Sequence, residues 1–203
     1  MNSMMGVRQY IRKLPRGKPF TINSLAGIVT AGNARQILAR LVKNGEVARI
    51  TTGIFVRPKQ NFYLGIVLPS NEVIIKTITQ KSGETIGIHG AEAARILQLS
   101  TQVPVKEVYY TTGYSRKIKL ENTEIILKHI SHRKLVKPGT VVGLVISALW
   151  YMGKNHVSTE TINKIKSQLS SEQFNEVIKN INKMPAWMAN QFNIYQKENG
   201  CHG

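Results

Sequence analysis

Asn33, Arg35 and Gln36 lie close together in the chain, and each carries a side chain able to read the edge of a base pair. An arginine fork bonds O6 and N7 of guanine, while asparagine or glutamine pairs with N6 and N7 of adenine. Arg40 and Lys43 follow on the same segment and suit phosphate oxygens. Arg49, Thr51, Thr52 and Arg57 flank Gly53, where a turn would bring them to phosphate or a minor groove; Arg16 and Lys18 add two cations nearer the front. Together these eleven side chains predict contact with double-stranded DNA. A plainer reading is a solvated cationic face that serves protein contacts. Such faces usually mix both signs, whereas residues 1–60 hold eleven Lys or Arg against Glu46 alone.

A second group lies further on. Between Lys106 and Lys137 there are eight Lys or Arg against three Glu, including Arg116, Lys117, Lys119, Arg133 and Lys134. These predict a second basic surface for DNA, RNA or an acidic partner, against the common alternative of a strand edge guarded by lysines. Tyr109, Tyr110 and Tyr114 stand beside these cations and would either stack on unpaired bases or pack a core. His89, His129 and His132, with Glu84 or Glu92 near the first, raise the question of catalysis. No His-Glu-x-x-His pair or glycine-rich phosphate loop occurs, and the chain contains no Asp. A two-metal phosphoryl-transfer centre therefore lacks its commonest ligand, and no enzyme activity, metal or cofactor is expected.

The DNA set needs a helix and a hairpin to position it. Val7, Tyr10, Ile11 and Leu14 recur at helical spacing over residues 5–14, and Pro15-Arg16-Gly17 ends the run. Thr21 is placed to cap a second helix over 22–29, followed by a turn at Ala31-Gly32. Ala34, Ile37, Leu38 and Leu41 then share one face of a third helix over 33–44, with Gly45 as its C-terminal stop. Beyond Glu46 the apolar period becomes two, around Thr51-Thr52-Gly53 and up to Pro58. In a helix-turn-helix the second helix enters the major groove by its N-terminal end, which here presents Asn33, Arg35 and Gln36.

Residues 59–69, with Phe62, Tyr63, Leu64 and Ile66, read as a connector. A domain over 68–203 is expected to follow the first at 1–60. Its elements are helices at 70–81 and 90–99 around a short strand at 86–89, and an antiparallel meander over 105–112, 117–120 and 124–130 with turns at 111–115 and Glu121-Asn122. Helices over 141–152, 158–168, 171–181 and 185–195 complete it. The fold class is thus α+β.

Composition points the same way. The formal net charge is +17 over 203 residues, which marks a polyanionic partner. No apolar run reaches the roughly twenty residues of a membrane span, and residues 1–12 lack a signal-peptide core, so a cytoplasmic location is expected. The lone Cys201 excludes a disulfide framework or a cysteine zinc site within one chain.

Several stretches carry a family resemblance. The opening from Val7 to Phe20, the run Ala39 to Val47, and Gly53 to Pro58 resemble the AbiEi family of antitoxins and transcriptional regulators. Leu99 to Pro104, Thr112 to Arg116 and Pro185 to Met188 are similar to its compact members. The resemblance implies a winged helix-turn-helix that represses its own promoter, at inverted repeats. It also implies a second domain that opposes an AbiEii-like nucleotidyltransferase toxin, or acts at that toxin's substrate, in a type IV toxin-antitoxin system of phage defence. The rival expectation is an RNA-binding accessory protein that uses the basic second domain.

Overall fold

A computed structural model describes residues 3–61, 63, 65–80, 82–120 and 123–200. Phe62, Leu64, Lys81, the expected Glu121-Asn122 turn and Cys201 lie outside the described residues. The fold is mixed α+β and divides into two compact units, Met1–Gly83 with Ile118–Thr123, and Glu84–Lys117 with Glu124–Gly203.

The first unit starts with α1 (Ser3–Lys13), whose Val7 and Ile11 are buried one turn apart. Gly17 reverses the chain at φ +80°, a conformation that glycine adopts without penalty. Next come β1 (Pro19–Thr21), a 3-10 turn (Ile22–Leu25), α2 (Ala31–Lys43), β2 (Ala48–Thr51) and β3 (Ile54–Val56). The three strands form an antiparallel sheet in the order β1-β3-β2. Val7, Ile11, Phe20, Leu25, Ala34, Leu38, Leu41, Val47 and Phe55 make one buried cluster. Each fully enclosed leucine there contributes about 2 kcal/mol. Phe20 and Phe55 are register partners across β1 and β3, with ring centroids 6.1 Å apart.

Three expectations need correction in this unit. The helix expected over 22–29 is only the 3-10 turn and further turns, with no side-chain cap from Thr21. Asn23 and Ser24 compete for the backbone and Gly27 weakens a helix. Ala31-Gly32 is not a turn but the first turn of α2, because Thr30 provides the cap, its side chain accepting from the Asn33 amide at 3.5 Å. The connector at 59–69 contains a hairpin, β4 (Lys59–Asn61) paired with β5 (Gly65–Val67).

α3 (Asn71–Gln80) also belongs here and not to a domain beginning at 68. Its Ile74 is buried with Ile50, Ile54 and Val56, and Leu120 packs against the same cluster. That apolar contact moves the division to Gly83 and draws Ile118–Thr123 into the first unit.

The second unit holds β6 (Ile86–Ile88), α4 (Gly90–Ile96), β7 (Glu107–Thr111), β8 (Arg116–Lys119, whose last two residues cluster with the first unit) and β9 (Glu124–His129). The sheet order is β6-β7-β9-β8. The meander is not antiparallel throughout, since β7 and β9 run parallel, with Tyr109 opposite Leu127 and Tyr110 opposite Lys128. A parallel pair needs a crossover of about a dozen residues, and the 112–123 segment supplies it while carrying β8 to the far edge of β9. Helices α5 (Val141–Met152), α6 (Thr159–Gln168), α7 (Ser171–Lys179) and α8 (Ala186–Gly200) complete the unit. α5 is its apolar centre, with Val142, Val145, Ile146, Ala148 and Leu149 all inaccessible. A capping box starts α7: Gln173 N donates to Ser170 Oγ and Ser170 N donates to Gln173 Oε1. Among the described residues no helix is long and apolar enough to cross a membrane.

Candidate nucleic-acid interface

α2 is amphipathic for a simple reason: Ala34, Ile37, Leu38 and Leu41 point into the core, which leaves Asn33, Arg35, Gln36, Arg40 and Lys43 exposed. The Thr30 cap makes Asn33 the third residue of the helix, so Asn33, Arg35 and Gln36, the residues expected to read bases, occupy its first two turns. The β2–β3 turn is Thr52-Gly53, with Gly53 at φ +77°. Ile22 N donates to the Gly53 carbonyl at 3.4 Å, and the 3-10 turn that begins at Ile22 packs on α2. The 3-10 segment thus links the hairpin turn to α2, and Arg49 and Thr52 are exposed on the hairpin.

Other members of the predicted set are spent elsewhere. Arg57 Nη1 donates to the carbonyls of Arg12 (2.7 Å) and Leu14 (3.2 Å). It ties down the last turn of α1, where carbonyls lack intrahelical partners. Its own carbonyl accepts from Gly17 N at 2.9 Å. Thr51 Oγ1 donates to the Lys119 carbonyl at 2.9 Å, so that hydroxyl proton is not directed at a phosphate. Arg16 and Lys18 are exposed in the loop around Gly17, which meets Arg57 at the opposite end of β1 from the Gly53 turn.

The electrostatics of the front are more one-sided than its composition. Glu46, the only acid of residues 1–60, accepts both Arg8 Nη2 at 2.6 Å and Arg8 Nε at 3.1 Å. Each side chain is more than a third exposed, so the pair adds little stability. It does cancel the one negative charge, leaving the remaining cations unopposed.

Most members of the predicted second surface have partners within the fold. Arg116 and Glu84 form a nearly buried ion pair at 2.9 Å, their side chains 18% and 8% exposed. Thr111 Oγ1 donates to the same carboxylate oxygen. Lys117 approaches Glu124 at 3.5 Å, Lys119 belongs with the first unit, and Lys134 sits 4.6 Å over the Trp150 ring. Arg133 is exposed. Tyr109 donates to Glu107 and Tyr110 is half-buried, whereas Tyr114 is exposed beneath the Arg116 guanidinium at 4.7 Å.

His89 has a structural task. Its Nδ1 accepts from Ala91 N at 3.3 Å as the cap of α4, and its ring lies 4.7 Å from that of Tyr110. Burial first, and then the nearby Lys128 charge, hold its pKa below the ordinary 6.5. Burial likewise pushes the Tyr110 phenol up. His129 Nδ1 lies 2.6 Å from the Gly113 carbonyl. Among the described residues, no group of three His, Cys, Asp or Glu converges as for a metal.

Sequence reasoning missed the roles of Arg57 and Arg116, whose partners are 32 to 45 positions away. The chain belongs to a family whose function is not known, the family of unknown function DUF6088, whose model matches residues 6–177. No curated protein matches it.

Proposed function

We propose that this member of the DUF6088 family is a DNA-binding regulator whose first unit works as a winged helix-turn-helix. In that reading α2 is the recognition helix and the β2–β3 turn is the wing. The observation that carries it is the exposure of Asn33, Arg35 and Gln36 on the first two turns of α2, beside a hairpin whose turn is tied to the segment leading into that helix. The element order and the strand order β1-β3-β2 support it, as does a front whose only acid is paired with Arg8. Arg35 and Gln36 would read bases, while Arg40, Lys43 and Arg49 would hold phosphates.

The resemblance to AbiEi proteins extends the proposal. The chain would repress its own promoter at inverted repeats and act in the cytoplasm as antitoxin of a type IV toxin-antitoxin system. It would do so without enzyme activity, opposing a nucleotidyltransferase toxin or protecting that toxin's substrate. A gel-shift titration against the chain's own upstream DNA and an unrelated duplex, at two salt concentrations, tests the DNA step. Specific binding survives the higher salt on the promoter while counterion-driven binding to the unrelated duplex collapses. Equal binding to both duplexes at both salts would remove the repressor reading. Co-expression with a nucleotidyltransferase encoded beside it tests the antitoxin step: growth rescue supports it, and unrelieved toxicity contradicts it.

A further inference from the structure

The first unit has a second cationic pole at the end away from the Gly53 turn. β1 and β3 pair from Pro19↔Val56 to Thr21↔Ile54. The turn lies beyond Ile54, and Arg57 with the 15–18 loop lies beyond Val56, about one three-residue strand, or roughly 10 Å, away. Here a cleft of about 170 Å³ opens between α1, the end of α2 and the start of β2. Ile11, Leu41 and Val47 give it an apolar floor, and Arg8, Arg12, Arg57 and Glu46 form its rim. Arg8 neutralises Glu46, so the rim keeps the charge of two guanidiniums.

The positive field continues outward from the cleft. Gly17 N bonds the Arg57 carbonyl, and a Cβ on Gly17 would lie 4.0 Å from that of Lys59. Arg16, Lys18 and Lys59 are therefore gathered beside Arg57. All three are exposed, and none joins an ion pair among the described residues.

We infer that this pole docks an acidic segment of a partner protein, with one aliphatic side chain in the cleft and its carboxylates on Arg12, Arg16, Lys18 and Lys59. The size fits, since pockets for whole small molecules run to about 300–1,000 Å³, and this one suits a single side chain. The lining fits a peptide better than a nucleic acid. A polynucleotide offers no branched aliphatic side chain to fill the floor, and among the described residues none lining the cleft is aromatic to stack a base. Arginine clusters recognise acidic motifs through carboxylate-matched forks. The surface lies apart from the proposed DNA end, and the inference goes beyond that reading and does not depend on it.

The test is fluorescence anisotropy with the full chain at near-physiological salt. The probes are two labelled peptides of equal charge, one of glutamates interrupted by leucines and the other with serines in their place. Polyuridine RNA serves as a third probe. The leucine peptide binds about tenfold tighter than the serine peptide, as burial of one leucine side chain requires. Arg12→Glu with Lys59→Glu weakens it by roughly tenfold or more, whereas the charge-matched pair Lys179→Glu with Lys183→Glu, in the second unit, leaves it near wild type. Equal affinity for the two peptides, or an equal loss in the control pair, overturns the inference by reducing the binding to net charge. Tighter binding of polyuridine, lost in the Arg12 and Lys59 variant, also overturns it and assigns the pole to nucleic acid.

Discussion

Replacing Arg57 by alanine removes the cation that holds the end of α1, and the structure sets the size of the loss. Two hydrogen bonds go, to the carbonyls of Arg12 and Leu14 at 2.7 and 3.2 Å. Bonds from a charged donor are worth about 1.5–3 kcal/mol each, and a cation at a helix C-terminus adds about 0.3–1 kcal/mol. Both bonds come from one nitrogen on a half-buried side chain, so the net cost is about 2 kcal/mol, close to a thirtyfold change in the opening equilibrium. Tryptophan fluorescence does not follow this unit directly, because Trp150 and Trp187 both lie in the second. Hydrogen exchange of the α1 and α2 amides does. It accelerates by about that factor in Arg57→Ala, while the second unit's amides stay unchanged. Unaltered α1 exchange, together with a salt slope for duplex binding reduced by about 0.9, would refute the reasoning and return Arg57 to the phosphate role read from the sequence.

Three further outcomes are expected. A Cβ at residue 90 would fall 2.6 Å from Tyr151 Cβ and 2.8 Å from the Ser147 carbonyl, so Gly90→Ala costs about 1–3 kcal/mol by overpacking; an unchanged urea midpoint by tryptophan fluorescence would contradict this. Glu84→Ala strands Arg116 in a nearly buried position, at a cost of about 3 kcal/mol, and Arg116→Met in the same chain restores part of it; loss below about 0.5 kcal/mol would place the pair among exposed ones. Protonated His89 cannot accept the Ala91 N–H and would sit beside Lys128. With the folded pKa below 6.5, the native state binds fewer protons than the unfolded chain between the two values. The contribution of His89 is therefore complete above about pH 6.5 and is lost as pH falls through the folded pKa. His89→Asn, which caps without titrating, should flatten the fall in urea midpoint toward acid; an identical pH profile would exclude His89 as its source.

What the sequence revealed depended on distance along the chain. α2 was legible because Ala34, Ile37, Leu38 and Leu41 repeat with the helix period inside one segment, and the β2–β3 turn because Thr-Thr-Gly separates two apolar runs. β1 was not, since three residues carry no period and it becomes a strand only by pairing with β3. The parallel pairing of β7 with β9 was hidden for the same reason, because similar β-branched runs serve either direction. The hairpin at Lys59–Val67 looked like a connector because neither strand exceeds three residues. In the candidate site, the exposed cations of α2 followed from the buried stripe opposite them. Arg57 and Thr51 did not, because local sequence carries no sign of the distant carbonyls that occupy them.

The central claim concerns base reading by α2, and the direct measurement is the affinity of wild type and of the Arg35→Ala, Gln36→Ala variant for the upstream DNA and for an unrelated duplex, over a salt series. Each bidentate base contact discriminates by about 1–3 kcal/mol. The account predicts that the variant's affinity for the upstream DNA falls to the level of the unrelated duplex, while binding to the unrelated duplex changes little. A variant that keeps the wild-type preference would contradict recognition through α2.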